Sequence, residues 1–128
     1  MVVDSSAVVA ILEEEPDGGE LLRRLVEASA RRISATTLLE TAIVLEAKSG
    51  EAAGDHLDLF LARGGVVVEE VTAEQIQIAR KAWRKFGKGS GHPAGLNYGD
   101  CFSYALAKAF GEELLFKGGD FGKTDVNR

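Results

Sequence analysis

Leu96-Asn97-Tyr98-Gly99-Asp100-Cys101-Phe102-Ser103-Tyr104-Ala105 sets an amide and a carboxylate directly before an apolar run. Cys101, Phe102, Ala105, Leu106, Ala109 and Phe110 recur at three- and four-residue steps, which predicts a helix with that face against a core. Asn97 is the natural N-cap, and Asp100 then stands at the third helical position. A carboxylate there answers the partial positive charge of the helix N-terminus and can accept a bond from a free N–H. The same carboxylate can equally belong to a set gathered from distant segments around a divalent ion. Which role applies depends on the other members of the set.

Moving outward to the amino end, Val2-Val3 is a short apolar run that stops at Asp4, and Ala7 to Leu12 then continue without polar interruption. The pattern predicts a buried strand followed by a buried helix, with Asp4 at the strand's carboxyl end. In open α/β sheets that edge is where ligands collect. Asp4 can also serve simply as an N-cap. Glu13 to Gly19 is an acidic turn, and Leu21, Leu22, Leu25 and Val26 mark one face of a second helix. Arg31 to Ala35 reads as a second strand. The helix after it carries Leu38, Leu39, Ala42, Ile43 and Leu45, and Thr37 and Glu40 have the three-residue spacing of a capping box.

Gly50 to Arg63 reads as a further helix, with Leu57, Phe60 and Leu61 inward. Gly64-Gly65 leads into the β-branched strand Val66-Val67-Val68-Glu69-Glu70. Thr72 caps a helix reaching about Phe86. Its expected inner stripe is Ile76, Ala79, Trp83 and Phe86; its outer stripe is Arg80, Lys81, Arg84 and Lys85, continued by Lys88. Gly87 to Gly95 reads as a flexible segment, and it has neither the spacing of a phosphate loop nor that of a dinucleotide fingerprint. Glu113 to Phe116 is the last strand, and Asp120 follows it beside Gly118-Gly119. Asp120 and Asp125 both suit turns.

The totals bound these readings. A chain of 128 residues fits one domain, 1–128, able to bury a core without staples. One cysteine excludes an internal disulfide, and its place on an apolar face predicts a buried structural thiol. No apolar run approaches a membrane span and no leader is evident, so a cytoplasmic protein is expected. The net charge of −5 argues against loose binding to nucleic acid, but the charge is uneven. Residues 1–79 hold 15 acids and 6 bases, whereas 80–128 hold 5 acids and 9 bases. Arg80, Lys81, Arg84 and Lys85 are therefore candidates for phosphate contact, against the ordinary alternative of a solvated helix face.

Strands alternating with helices predict a three-layer α/β/α fold around a mainly parallel sheet of four to five strands. Asp4 and Asp120 then share one sheet edge, and Glu40 and Asp100 lean over it from helix starts. Four carboxylates in one cleft repel each other unless cations intervene, and Mg2+ or Mn2+ suits such hard oxygen ligands. The chemistry this predicts is metal-assisted hydrolysis of a nucleic-acid phosphodiester.

Over nearly its whole length the chain resembles the VapC-type toxins of the PIN-domain ribonuclease family. The resemblance is carried in order by Val2-Val3-Asp4-Ser5-Ser6-Ala7, Leu38-Leu39-Glu40-Thr41-Ala42, the stretch Gly91 to Ala105 around Asp100, and Leu114 to Asp125 around Asp120. It implies a PIN-like nuclease domain, Mg2+- or Mn2+-dependent endoribonuclease activity, and an acidic quartet of Asp4, Glu40, Asp100 and Asp120. It also implies an RNA substrate, a cognate VapB-type antitoxin and a homodimer. Many relatives have an acid or amide where this chain has Gly119, so Asp120 or Asp125 must serve as the fourth acid. Two other readings compete. One is a magnesium-dependent phosphoacceptor domain, disfavoured because Ser5-Ser6 follows Asp4 where paired acids are wanted. The other is a silent binding module whose acids are only caps and turns.

Overall fold

The computed structural model describes residues 1–128. Four strands, β1 (Val2–Val3), β2 (Arg31–Ser34), β3 (Val66–Glu69) and β4 (Leu114–Leu115), form one sheet in the order β3-β2-β1-β4. Every pairing is parallel: Val2 lies opposite Arg32 and Leu114, and Ile33 opposite Val68. From β1 the chain steps outward through β2 to β3, then returns to place β4 on the other side of β1. The reversal of order leaves a crevice at the carboxyl ends of β1 and β4, the position where open parallel sheets bind ligands.

Helices α1 (Ser5–Leu12), α2 (Gly18–Glu27), α3 (Ala35–Ser49) and α4 (Glu51–Gly64) precede β3 or flank it, and α5 (Ala73–Phe86) and α6 (Tyr98–Phe110) follow. The two-residue period of a strand sorts the core into two layers. Val3, Ile33 and Leu115 pack with Ala7, Val8, Leu21, Leu25, Leu45 and Leu57 on one face of the sheet. Val2 and Leu114 turn the other way and pack with Ala82, Phe86, Leu96, Tyr104, Leu106 and Phe121. The sheet is thus covered on both faces, giving the three-layer α/β/α architecture with four strands.

Local details differ from the sequence pattern where tertiary packing overrides it. Helix α3 starts at Ala35 behind Ser34, which makes no side-chain cap bond. Thr37 is buried with its hydroxyl 3.2 Å from that of Ser103, so the capping box expected for Thr37 and Glu40 does not form, and Glu40 lies in the second turn. Helix α6 packs against β1, β2, β4, α3 and α5. Its middle, Ser103 to Ala107, is therefore enclosed on every side, while Ala109 and Phe110 run past the sheet into solvent. The Arg32 guanidinium lies 4.2 Å from the Phe110 ring centre. Helix α5 is rotated from its expected setting: Gln75, Ala82 and Phe86 are buried, whereas Ile76 and Trp83 face outward.

The segment Gly87 to Gly95, expected to be flexible, is a loop pinned at its base. Lys88 N donates to Leu96 O at 2.7 Å and Leu96 N to Phe86 O at 2.9 Å, closing a parallel bridge. Ala94 and Leu96 are buried, and His92 meets the edge of Phe86 at 4.9 Å. No helix is long and apolar enough to cross a membrane.

The difference between the enclosed middle and the open end of α6 sets a stability contrast. Leu106→Ala, at a fully buried position, is expected to cost roughly 2–5 kcal/mol, and Phe110→Ala less than about 1.5 kcal/mol. Urea denaturation of the two variants measures both, and equal losses would contradict this placement of α6.

Candidate active site

Asp4 ends β1 at the crevice and is 2 % exposed. Its backbone is extended and its side chain caps α1, with Oδ2 accepting from Ser6 N at 3.0 Å and from the Ser6 hydroxyl at 2.7 Å. Oδ1 accepts from the Ser103 hydroxyl at 2.6 Å. Ser6 Oγ in turn accepts from Lys117 N at 3.0 Å, beyond β4. Hydroxyls from α1 and α6 thus fix both oxygens of a buried carboxylate, and no base approaches it.

Asp100 and Asn97 form a reciprocal capping box at the start of α6. Asp100 N donates to Asn97 Oδ1, and Asn97 N to Asp100 Oδ2, both at 2.9 Å. The cap holds the carboxylate in one orientation and leaves Oδ1 without a protein hydrogen bond. Burial pushes the Asp100 carboxyl up to about 6; the Asn97 N–H opposes the shift, and the charges of Asp4, Glu40 and Asp120 add to it. The capping role and the place among acids are compatible because each uses a different oxygen.

Glu40 reaches the same place from α3. Burial raises its carboxyl, the Ser5 hydroxyl counteracts this, and the Asp4 charge raises it further. Its carboxylate rests on the Cα of Gly99: a Cβ at Gly99 would overlap Oε2 and would lie 2.9 Å from Cδ and 3.0 Å from Oε1. Asp120 is exposed, opens the short 3-10 turn Phe121–Lys123 and makes no side-chain cap bond. Its charge reaches Asp100. Asp125 points elsewhere, accepting from the Tyr104 hydroxyl at 2.5 Å and pairing with Lys108 at 3.3 Å.

None of Asp4, Glu40, Asp100 and Asp120 takes part in an ion pair. Lys117, three residues before Asp120, is engaged by Glu15 and Asp17. No three acidic, histidine or cysteine side chains converge tightly enough to enclose an ion as they stand, so the four acids form a loose cluster rather than a closed cage. Cys101, next to Asp100 on α6, is buried, with its thiol pushed up to about 11 by burial and the Asp100 charge. It is no nucleophile.

The bases of α5 divide between two flanks. Arg80 and Arg84, with Trp83, Tyr98 and Phe102, line a cleft between α5 and the start of α6. Lys81 and Lys85 line a separate depression with Tyr104, Lys108 and Asp125. The sequence pattern gives no role to Ser6, Ser103 and Gly99, and assigns Thr37 to a cap that does not form. Ser103 carried a usable signal, since a hydroxyl inside an apolar helix needs a buried partner.

The sequence matches the family model described as PIN domain over residues 1–127. It is 53% identical to Ribonuclease VapC of Mycolicibacterium smegmatis over 126 residues, covering 98% of this chain and 97% of that one. It is 54% identical over 127 residues to Ribonuclease VapC30 of Mycobacterium tuberculosis, covering 98% and 95%. The fold also matches the crystal structure of M. tuberculosis VapC20, described as a Sarcin-Ricin loop cleaving toxin. That match has a TM-score of 0.76 at 22% identity, and covers 98% of this chain and 95% of that one.

The raised Asp100 carboxyl has a consequence for stability. A group with a higher pKa in the folded than in the unfolded state favours folding when protonated, and that contribution is lost as pH rises from about 4 through about 6. In chelator, Asp100→Asn should therefore melt above wild type at neutral pH, by on the order of 1 kcal/mol after discounting for partial solvation. The gap should close near pH 4. Thermal melts across this range check it, and a variant less stable than wild type at pH 7 would show that the acids do not repel.

Proposed function

We propose, on the premise that this chain belongs to the PIN domain family, that it is a metal-dependent endoribonuclease toxin held in check by a cognate antitoxin. The observation that carries the reading is the arrangement of Asp4, Glu40, Asp100 and Asp120 at the switch point of the sheet, with no basic partner. Charges of one sign brought together on four separate segments destabilise the fold unless a cation joins them. Carboxylate oxygens are the donor set that Mg2+ or Mn2+ takes, and the free Oδ1 of Asp100 is a ready ligand. In this reading Asp4 and Asp100 hold the ion, and Glu40 and Asp120 complete its surroundings directly or through water. Such an ion supplies an activated water for attack on phosphorus and offsets the charge developing on the leaving oxygen.

The chain's own groups do the rest. Ser6 and Ser103 keep the Asp4 carboxylate from rotating, and the capping box does the same for Asp100. Asp125, committed to Tyr104 and Lys108, is left out of the quartet, and Asp120 is the fourth acid. Arg80 and Arg84 hold RNA beside the acids, while Lys81 and Lys85 on the other flank add to the attractive field. The relatives named Ribonuclease VapC support an RNA substrate, and the same reading includes a VapB-type partner and a cytoplasmic setting. An antitoxin that inserts a basic side chain would find four unpaired carboxylates. Leu39 and Ile43 on α3 and Val67 and Val68 on the edge strand β3 are exposed apolar surface for a second copy or the antitoxin to cover.

The test is cleavage of a tRNA and total-RNA pool by the antitoxin-free protein with Mg2+, with Mn2+ and with chelator. Discrete products should require metal, and Asp4→Asn or Asp100→Asn should slow their formation on the order of 100-fold or more. Either ion should also raise the melting temperature of wild type and not of Asp4→Asn. A pattern identical in wild type and variants would mark a contaminant. A folded wild type that cuts nothing and gains no stability from metal would favour the silent binding module.

Gly99→Ala is the complementary variant. Alanine suits a helix better than glycine, so the fold should hold its melting temperature. The displaced Glu40 carboxylate should nevertheless lower cleavage on the order of tenfold or more. Unchanged cleavage would remove Glu40 from the working set.

A further inference from the structure

We propose that the cleft between α5 and α6 is a nucleobase subsite, in which an unstacked base of single-stranded RNA lies against Trp83, Tyr98 and Phe102 while Arg80 and Arg84 hold its phosphate. The inference rests on the reading of the chain as a ribonuclease and adds to it the place where substrate is gripped. The cleft has a volume of about 450 Å3 and is lined mostly by apolar side chains, within the range of small-ligand sites.

Its aromatic residues are held open. Tyr98 is 76 % exposed at the first position of α6, where it meets Phe102 edge to face at 5.0 Å between ring centres. Trp83 is 43 % exposed, and its place is fixed by Gly87, where a Cβ would lie 2.7 Å from the indole Cδ2. Aromatic faces left in water at a rigid helix junction match what bases stack on, and stacking tolerates every base. Arg80 and Arg84 lie one helical turn apart on the same face of α5 and make no ion pair or hydrogen bond with the protein. Each guanidinium is free for a phosphate and can also stack. An apolar protein segment laid in this cleft would cover both guanidiniums without supplying an acid, whereas a nucleotide supplies a planar ring and a charge together.

The position follows from the chain. Tyr98 and Cys101, both lining the cleft, belong to the same first turn of α6 as Asp100, whose side chain leaves the helix on another side. A base seated here lies across the start of α6 from the acid cluster, about one helix diameter (~10 Å) away, so that the next nucleotides of the strand can pass over the helix start to the acids. Lys81 and Lys85 face away from this cleft, so the two pairs of bases should behave differently on substitution.

Trp83 is the single tryptophan of the chain, so its emission reports on the cleft alone. The experiment titrates the full-length protein with short single-stranded RNA, in chelator and separately in Ca2+, following Trp83 emission and the anisotropy of end-labelled RNA. Cleavage with Mg2+ or Mn2+ is scored in parallel. The expected result is a saturable change in emission that tracks binding, with affinity weakened on the order of tenfold by Tyr98→Ala and at least as much by Arg80→Glu with Arg84→Glu. Lys81→Glu with Lys85→Glu should weaken binding less. All these variants should keep the wild-type melting temperature, which separates lost contacts from lost folding.

RNA that binds without changing Trp83 emission, and with equal affinity for Tyr98→Ala, overturns the subsite. So does emission that varies with protein concentration and not with RNA, which gives the cleft to a second copy of the chain. A protein that cuts RNA with metal but fails these titrations loses the cleft and keeps the nuclease reading. One that binds RNA in the cleft and cuts nothing keeps the subsite and loses the nuclease reading. One that does neither loses both.

Discussion

The fold depends on a carboxylate that is buried without a counter-charge. Asp4 ends the central strand β1, next to the reversal of strand order, and both its oxygens are satisfied by hydroxyls, from Ser6 one way and Ser103 the other. These bonds tie the strand's end to α1 and to the middle of α6, and the Thr37 hydroxyl extends the chain of contacts to α3. An unpaired buried carboxylate is costly unless its oxygens are hydrogen-bonded. Hydroxyls meet that requirement while leaving the negative charge in place, which an arginine or lysine would have neutralised. The site is thereby kept electronegative by the same bonds that assemble the layers around it.

Around Asp4 the other acids are treated differently, and the differences follow from what holds each one. Asp100 is fixed through one oxygen by its capping box and presents the other. Glu40 arrives from another helix and occupies the space that a side chain at Gly99 would take. Asp120 stays exposed on the turn after β4. Burial first, and the neighbouring negative charges second, raise the carboxyls of Asp100 and Glu40. Several acids elsewhere are paired: Glu112 and Glu69 with Arg32, Glu15 and Asp17 with Lys117, Asp125 with Lys108. At the switch point, by contrast, the buried Asp4 and the partly buried Glu40 and Asp100 have no such partner.

Much of this architecture was legible in the sequence because it rests on short-range patterns. The runs at Val2-Val3, Val66-Val68 and Leu114-Leu115, and the alternation with helices, lead directly to a parallel sheet with covered faces. Asn97 and Asp100 announce their cap by spacing alone. What was not legible depends on partners distant in the chain. Thr37 and Glu40 have capping-box spacing, but Ser34 already ends β2 and the helix begins at once, so Thr37 turns inward to Ser103 instead. The loop from Gly87 to Gly95 has the composition of a flexible linker, yet its ends pair and its one leucine neighbour, Leu96, is fully buried. Gly99 has no sequence signal beyond its identity, since its use lies in the space it leaves for a side chain of α3.

Helix α5 shows how a misplaced stripe becomes informative. Periodicity alone offers two apolar faces, one through Ile76, Ala79 and Trp83 and another through Ile78, Ala82 and Phe86, with Phe86 shared by either as the helix turns. Packing against α6 selects the second, because Ala82 permits close approach and Phe86 reaches Tyr104 at 6.0 Å between ring centres. The first stripe is then left facing solvent between two arginines, a setting that burial in the monomer's core does not explain. Apolar surface exposed singly is ordinary, but a stripe continued across a helix junction by Tyr98 and Phe102 is a patch. The residues that an amphipathic reading assigns to the core are thus on the surface, joined across the helix junction to the turn of α6 from which Asp100 also starts.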